Sequence, residues 1–430
     1  MSKHIKNLGL FKSCQRFALH AFSKRLASKI GLFAAVIPFA ILVGCTPVVE
    51  PEPEHPCTAD IHCVYDDGSS ECETGFAWED ASDEENYNCL TLTGVLGANT
   101  HSLNNVLLEQ ISDGSDGLSA PRDLAFNPDD DIQLWAVNYN DNSISELLEP
   151  GTDYQTPLHF NSFGSAHFLA HPAALAFGES GLMATAQEED RETQGPVAAG
   201  GSPADFMGPS LWPTNLSDFD GGHASHMDML HNSPNSTGMA WETGNAYWNF
   251  DGAHNAITRY DFRTDHGQGG AYHGDGITAR YVSGEVSYLP NVSSHMEFDH
   301  DTSLLYIADS GNNRIAVLDT TTGTRGSVMG PNYDGGEQYL VDGASLSTLI
   351  DGVNVEGLNQ PSGLELHDGM IFVSDYESGM IFAFSKEGEV LDYIDTGLGG
   401  GALQGMAFSS TGELFFVNTD GNSIWRLQAK

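Results

Sequence analysis

Basic residues are scarce in this chain and acidic residues are abundant. Its 430 residues include 17 lysines and arginines against 59 aspartates and glutamates, which gives a formal net charge of −42. Seven of the basic residues, and none of the acidic ones, lie in residues 1–29, so the remainder is more acidic still. Such a surface repels the phosphates of nucleic acids and of anionic lipids. The composition therefore excludes a nucleic-acid-binding protein.

Motifs of several large enzyme classes are also missing. The sequence has no Gly-x-Ser-x-Gly elbow, no P-loop and no Gly-x-Gly-x-x-Gly fingerprint. No cysteine follows Cys89, and amphipathic helical periodicity is absent after about residue 90. These absences exclude P-loop nucleotidases and dinucleotide-dependent dehydrogenases, and they favour an all-β domain without disulfides over most of the chain.

The N-terminus has the features of a lipoprotein signal peptide. Residues 1–29 carry only basic charge, residues 30–43 form an apolar run, and the run ends in Leu42-Val43-Gly44-Cys45, which resembles a lipobox. We therefore predict a signal peptide at 1–44 and a lipid on Cys45 that anchors the protein to the cell envelope, at the outer membrane. A plain cleaved signal or a membrane-spanning anchor is the alternative.

A Pro- and Glu-rich tether at 45–56 leads to a Cys-rich module at 57–89. The module has too few apolar residues for a core, so disulfides are expected to stabilise it. Three pairings into two disulfides are possible, and a zinc site is the alternative. The spacing of the second and third cysteines resembles part of an EGF-like module. The four cysteines are Cys57, Cys63, Cys72 and Cys89.

Residues 90–430 consist of repeats, each with three short β-prone runs separated by Asn, Asp and Gly. The clearest copy reads Met296-Glu-Phe298, then Leu305-Tyr-Ile-Ala-Asp309, then Asn313-Arg-Ile-Ala-Val-Leu318. In the second copy Ala186 takes the place of the strand-ending Asp, and the third run is displaced to Leu211-Trp212. The six first runs are anchored at Leu124, Leu175, Met239, Met296, Leu364 and Met406.

The segment from Leu305 to Ile315 resembles the NHL repeat. That resemblance implies an all-β, six-bladed β-propeller at 90–430, preceded by the small disulfide-rich module. The last copy stops at Leu427 after three runs, so we predict that residues 90–96 supply its fourth strand and join the two ends of the ring. A seven-bladed ring and an irregular sandwich are the alternatives.

Histidines cluster in the loops around the third copy. Eleven of the 17 lie between residues 159 and 300, beside several aspartates. Imidazole and carboxylate groups together are ligands of transition metals, and loops between blades converge on the mouth of a propeller. We therefore predict a divalent metal (Zn, Cu or Ca) at the mouth. The candidate ligands are His226, Asp228, His231, His266, His273, Asp275 and His295.

NHL-type rings also resemble peptidyl-hydroxyglycine amidating lyase, a six-bladed propeller that holds zinc with three histidines in its channel. The corresponding positions, two residues before each first run, carry no histidine here, although His295 lies one place along. The resemblance therefore does not supply a ligand set or an activity.

Two functions remain, and the sequence favours the first. It is a lipid-anchored, envelope-exposed binding protein that presents loops to a protein, peptide or glycan, since a tether and a stalk are present and a catalytic signature is missing. The alternative is a metal-dependent lyase or hydrolase with a His/Asp site at the propeller mouth.

The lipid anchor makes the first testable prediction. Mass spectrometry of the mature protein is expected to find a thioether-linked lipid on an N-terminal Cys45, and Cys45→Ser is expected to abolish the modification and release the protein from the membrane fraction. An unmodified Cys45 inside a longer mature chain would contradict the anchor.

Overall fold

A computed structural model of the protein describes residues 95–97, 103–161, 168–179, 181–191, 206–215 and 226–430. It also gives the backbone of two short hairpins, in which His62–Val64 pairs with Ser70–Cys72 and Phe76–Trp78 pairs with Cys89–Thr91. The predicted signal peptide, Cys45, the tether and the side chains of the four paired-cysteine candidates lie outside these residues. No helix in the described part is long and apolar enough to cross a membrane.

The described residues between 106 and 430 form six sheets arranged as the blades of a propeller, and the four strands of each blade pair antiparallel. The first strand of each blade is innermost, because these six strands contact one another in a closed ring. Each contains the predicted anchor of its repeat, so the six-bladed fold expected from the repeats is confirmed. The innermost strands are Pro121–Asn127, Pro172–Phe177, Ser236–Thr243, Met296–Asp299, Pro361–His367 and Leu403–Phe408.

The other three strands of each blade follow outwards. Blades 1 to 3 continue with Asp130–Asn138, Ser143–Leu148 and Thr156–Asn161, then Leu182–Gln187, Ser210–Pro213 and Asp228–Met229, then Ala246–Asp251, Ala256–Asp261 and Ile277–Tyr281. Blades 4 to 6 continue with Leu304–Asp309, Arg314–Asp319 and Ser345–Asp351, then Met370–Asp375, Met380–Ser385 and Val390–Asp395, then Leu414–Asn418, Ser423–Ala429 and Val106–Ser112. The described helices are single 3₁₀ turns at Gly114–Asp116, Ser310–Asn312 and Gly352–Asn354.

Apolar faces are buried between neighbouring blades, as the β-rich runs require. Between blades 1 and 2, for example, Trp135 and Ile144 pack with Leu175, Met183 and Trp212, and all five are buried. A single four-stranded sheet has two apolar faces and cannot cover both by itself. The ring therefore supplies most of the stability of each blade.

The ring is closed by Val106–Ser112, which pairs antiparallel with Ser423–Ala429. The expectation that an early strand completes the last blade is confirmed, but residues 90–96 are the wrong segment. Cys89–Thr91 pairs within its own hairpin, and Val95 and Leu96 instead pack into the apolar core around blades 5 and 6. Val106–Ser112 has seven residues, the same length as its partner Ser423–Ala429, whereas the strand Cys89–Thr91 has only three.

Blade 2 departs from the other blades in its outer half. Its third strand, Ser210–Pro213, contains the displaced Leu211-Trp212 run, as predicted. Its fourth strand, Asp228–Met229, has only two residues. In blade 4 the anchor Met296 pairs with Ile307, which lies two residues before the strand-ending Asp309. In blade 2 the anchor Leu175 pairs with Thr185, so the corresponding position is Gln187 and not Ala186.

Blade 4 carries a hairpin between its third and fourth strands, formed by Thr324–Val328 and Glu337–Asp342. Glu337–Asp342 pairs in parallel with Ile277–Tyr281, the outermost strand of blade 3. The insertion thus belongs to blade 4 in sequence and extends the sheet of blade 3 in space. It explains the long spacing between the fourth and fifth repeats.

Two glutamates on innermost strands stand out within the ring. Residues at the same position of the other four innermost strands are alanines, at 125, 176, 240 and 407, whereas blades 4 and 5 carry Glu297 and Glu365. Burial, with the nearby charge of Asp123, raises the pKa of Glu297 to about 8. Burial and the charges of Glu297 and Asp123 raise the pKa of Glu365 well above its usual range.

The raised pKa of Glu297 makes the stability of the wild-type protein depend on pH. The folded chain holds a proton on Glu297 that the unfolded chain releases near pH 4.5, so the free energy of unfolding falls as pH rises from there towards 8. Glu297→Gln is therefore expected to raise stability by roughly 1–3 kcal/mol at pH 8.5 and to change it little at pH 4.5. Denaturant unfolding at both pH values measures the difference, with exposed Glu387→Gln as the control. Equal effects at both pH values would contradict the prediction.

Candidate functional site

Five of the seven predicted ligands meet at the outer edge of blade 2. Asp228 lies on the outermost strand of that blade, between His226 and His231. His266 and His273 lie in the connection between the third and fourth strands of blade 3. That connection lies against blade 2, because the backbone N–H of His266 donates to Met227 O at 3.1 Å and that of Gly269 donates to His226 O at 3.2 Å. We call these five residues the rim cluster.

Asp228, His266 and His273 form the compact part of the rim cluster. One ligand atom from each residue lies within 4.8 Å of the others. His273 Nδ1 is 2.7 Å from Asp228 Oδ1, and His266 Nε2 is 3.9 Å from the same oxygen. Among the residues that the structure describes, this is the one group with the spacing needed to hold a metal ion.

The tautomer of His266 is set by its own loop. Its Nδ1 lies 2.6 Å from Gly267 O, and a carbonyl oxygen can only accept, so Nδ1 carries the proton. Nε2 is left with a lone pair, is buried and has no hydrogen-bond partner. A buried acceptor without a partner is unfavourable. Orientation of one ring nitrogen by a carbonyl, with the other left free, is the usual arrangement of a metal-binding histidine.

His231 is held in a similar way by Asp334, from the hairpin of blade 4. Its Nδ1 donates to Asp334 Oδ1 at 2.6 Å, and its backbone N–H donates to Asp334 Oδ2 at 3.0 Å. His231 Nε2 is buried and has no hydrogen-bond partner. A carboxylate partner of this kind fixes the tautomer and the ring orientation of a histidine. Sequence reasoning missed Asp334, since 103 residues separate it from His231.

The hydrogen bond between His273 and Asp228 holds a proton within the compact group. Burial raises the pKa of Asp228, although its contact with His273 opposes the shift. Burial acts to lower the pKa of His273, but the hydrogen bond and charge of Asp228 outweigh it, and the pKa is raised, with Asp334 and Asp275 adding their charges. A divalent cation placed among these groups would replace the proton and keep the carboxylate ionised.

A pocket of about 410 Å³ adjoins the rim cluster. The ring of Phe168 stacks on His226 with 3.8 Å between ring centroids, and Phe206 stacks on His231 at 3.9 Å. The remaining wall is built by His273 and by Gly269, Gly270 and Ala271. The Gly270 position requires glycine, because a Cβ atom there would lie 2.5 Å from His266 Nδ1.

The structure places the other two predicted ligands outside this group. Asp275 accepts the Thr264 backbone N–H at 3.3 Å and lies near enough to act on His273 by its charge. His295 precedes the innermost strand of blade 4, where Nδ1 is 3.6 Å from Asp123 Oδ1 and Nε2 is 3.2 Å from Ala173 O. The rim cluster therefore lies at the outer edge of blade 2, and the predicted position at the propeller mouth is wrong for it. The two-residue outer strand of blade 2 leaves room for the blade 3 loop to dock there.

The end of the ring where the innermost strands begin has a second pocket, of about 460 Å³. Buried Arg122 and Glu188 form an ion pair at 3.3 Å, and the Tyr288 hydroxyl donates to Glu188 at 2.7 Å. Nearby, His171 pairs with Glu189 at 2.8 Å. His171 belongs to the histidine-rich stretch of the sequence, but no motif linked it to the two glutamates, or to Arg122 and Tyr288, which are distant in the chain.

No family model and no curated protein match the chain. Solved structures with a similar fold include virginiamycin B lyase from Staphylococcus aureus, which is 11% identical, with 76% of this chain and 100% of that chain covered and a TM-score of 0.45. An auxiliary nutrient binding protein from Bacteroides thetaiotaomicron is 12% identical, with 75% of this chain and 76% of that chain covered and a TM-score of 0.48. The calcium-binding protein regucalcin from Agrobacterium tumefaciens is 14% identical, with 73% and 92% covered and a TM-score of 0.43. At such identities the likeness concerns the fold alone.

Metal binding at the rim cluster is directly measurable. Protein stripped with chelator and dialysed against Zn²⁺ is expected to retain one equivalent, because two imidazoles and a carboxylate suit Zn²⁺, and His266→Ala is expected to bind it at least tenfold more weakly. His295→Ala and the exposed His300→Ala are the controls. Zinc retained by His266→Ala with wild-type affinity would refute the site.

Proposed function

We propose that the protein is a metal-dependent hydrolase that acts at the rim cluster. The observation that carries the proposal is the pair of buried imidazole nitrogens without hydrogen-bond partners, His266 Nε2 and His231 Nε2. Both belong to histidines whose other nitrogen is already oriented, one by a carbonyl and one by a carboxylate. A site that is only structural has no need of the second oriented histidine.

The roles of the residues follow from their surroundings. Asp228, His266 and His273 would hold the ion, and three protein ligands leave a position open, as in catalytic zinc sites. A bound metal ion polarises a carbonyl oxygen or lowers the pKa of a water molecule. His231, held by Asp334, would take up the proton that the attacking water loses. The ring centroids of His231 and His273 are 6.0 Å apart, so base and ligand border the same pocket.

The general-base role separates His231 from the metal ligands. Zn²⁺-loaded protein is expected to hydrolyse p-nitrophenyl acetate faster than metal-free protein. His231→Ala is expected to keep one equivalent of zinc and to lose about 100-fold or more in kcat. Asp334→Asn is expected to lose about tenfold or more, because the ring of His231 is then less well oriented.

The exposed His300→Ala serves as the control for activity and for metal content. Loss of zinc from His231→Ala would make that residue a ligand and overturn its role as base. Equal rates with and without zinc would overturn the hydrolase.

A second candidate function is ligand binding in the pocket next to Arg122 and Glu188. A separate observation favours it. The charged groups there are already paired with each other, through the contacts of Glu188 and Glu189. Asp190 and the exposed Arg191, which pair at 3.1 Å, also line the pocket beside its aromatic rings and neutral polar groups, and this mixture suits a glycan or a peptide backbone. Binding at this place would not require metal, so it would persist in chelator-treated protein.

We also propose that the propeller is displayed from the cell envelope by a lipid on Cys45. The support is the order of basic segment, apolar run and lipobox in residues 1–45, followed by a tether rich in proline and glutamate. An anchored hydrolase or binding protein would then act on ligands close to the membrane, where the lipid retains it.

A further inference from the structure

The pocket beside the rim cluster has two similar halves. In each, a phenylalanine ring lies nearly parallel to a histidine ring, with interplanar angles of 19° for Phe168 on His226 and 20° for Phe206 on His231. The two phenylalanines come from different segments, one before blade 2 and one before its third strand. The fold thus brings two aromatic side chains to one small pocket from separate places in the chain.

None of the described residues that line this pocket is an acid, a lysine or an arginine, although the chain is strongly acidic. Its walls are the two phenylalanines, three histidines, two glycines and an alanine. The nearby carboxylates are already engaged, since Asp228 accepts from His273 and Asp334 accepts from His231. A charged part of a ligand would therefore find no counter-ion among these walls except a metal ion, and an apolar part would find aromatic surface.

We infer that the ligand of the rim cluster carries an aromatic group next to a metal-binding oxygen, as in an aromatic acyl compound. The inference rests on the proposed metal site and adds the class of substrate. The pocket volume of about 410 Å³ lies within the range of small-molecule sites. The aromatic group would pack between Phe168 and Phe206, and the oxygen would reach the ion held beside His273.

Two hydroxamates that differ only in the group to be recognised test the inference. Protein loaded with Co²⁺ reports on its metal ligands through visible absorption, which requires no substrate turnover. Titration with benzohydroxamate is expected to show binding at least tenfold tighter than titration with acetohydroxamate, because only the phenyl ring buries apolar surface against the phenylalanines.

Variants of the two walls assign the preference to the pocket. Phe168→Ala and Phe206→Ala are each expected to reduce the ratio of the two affinities by at least threefold, while acetohydroxamate binding stays within twofold of wild type. Tyr154→Ala, which removes an exposed aromatic side chain from blade 1, is the matched control and is expected to keep the full ratio.

The outcomes distinguish the two proposals. A normal cobalt spectrum with equal affinity for both hydroxamates would overturn the aromatic class and leave the metal site in place. A preference for benzohydroxamate that neither phenylalanine variant changes would also overturn the aromatic class. Failure of wild-type protein to bind Co²⁺ at all would overturn the metal site itself, and with it the inference.

Discussion

The antiparallel pairing of Val106–Ser112 with Ser423–Ala429 is the constraint on which the rest of the molecule depends. It joins the first and last parts of the ring, so that every innermost strand has a neighbour on both sides. Each blade buries apolar residues against the next, and an open ring would expose two such faces. The positions of blades 2 and 3, which build the rim cluster, and of the blade 4 hairpin whose Asp334 orients His231, therefore depend on a strand pair on blade 6.

The rim cluster exists because blade 2 is incomplete. Its outermost strand has two residues, and the edge beyond them is covered by the blade 3 loop that carries His266 and His273. Hydrogen bonds from that loop to Met227 and His226 bring its histidines to Asp228. The irregularity of the second repeat is thus the feature that makes a polar site between two blades.

Much of the fold could be predicted from the sequence, because repeated apolar anchors report directly on strands that pack in a ring. The closing strand could not, since residues 90–96 and Val106–Ser112 are both short and apolar and only the pairing partner decides between them. Histidine density indicated five members of the rim cluster. Histidine density could not indicate Asp334, because the role of that residue depends on where a hairpin of another blade docks. Nor could it distinguish His295 from the cluster members, although His295 lies on the axis side of the ring.

The docked hairpin of blade 4 also sets the outer edge of the blade 3 sheet. Blade 3 becomes six strands wide, and Thr324–Val328 is its open edge. A long flat edge is a template for joining sheets of separate molecules. Here the register shifts between Arg325 and Val328, and Arg325 forms an exposed ion pair with Glu337. A kinked and charged border of this kind discourages fibre-like assembly, even though the sheet is wider than in any other blade.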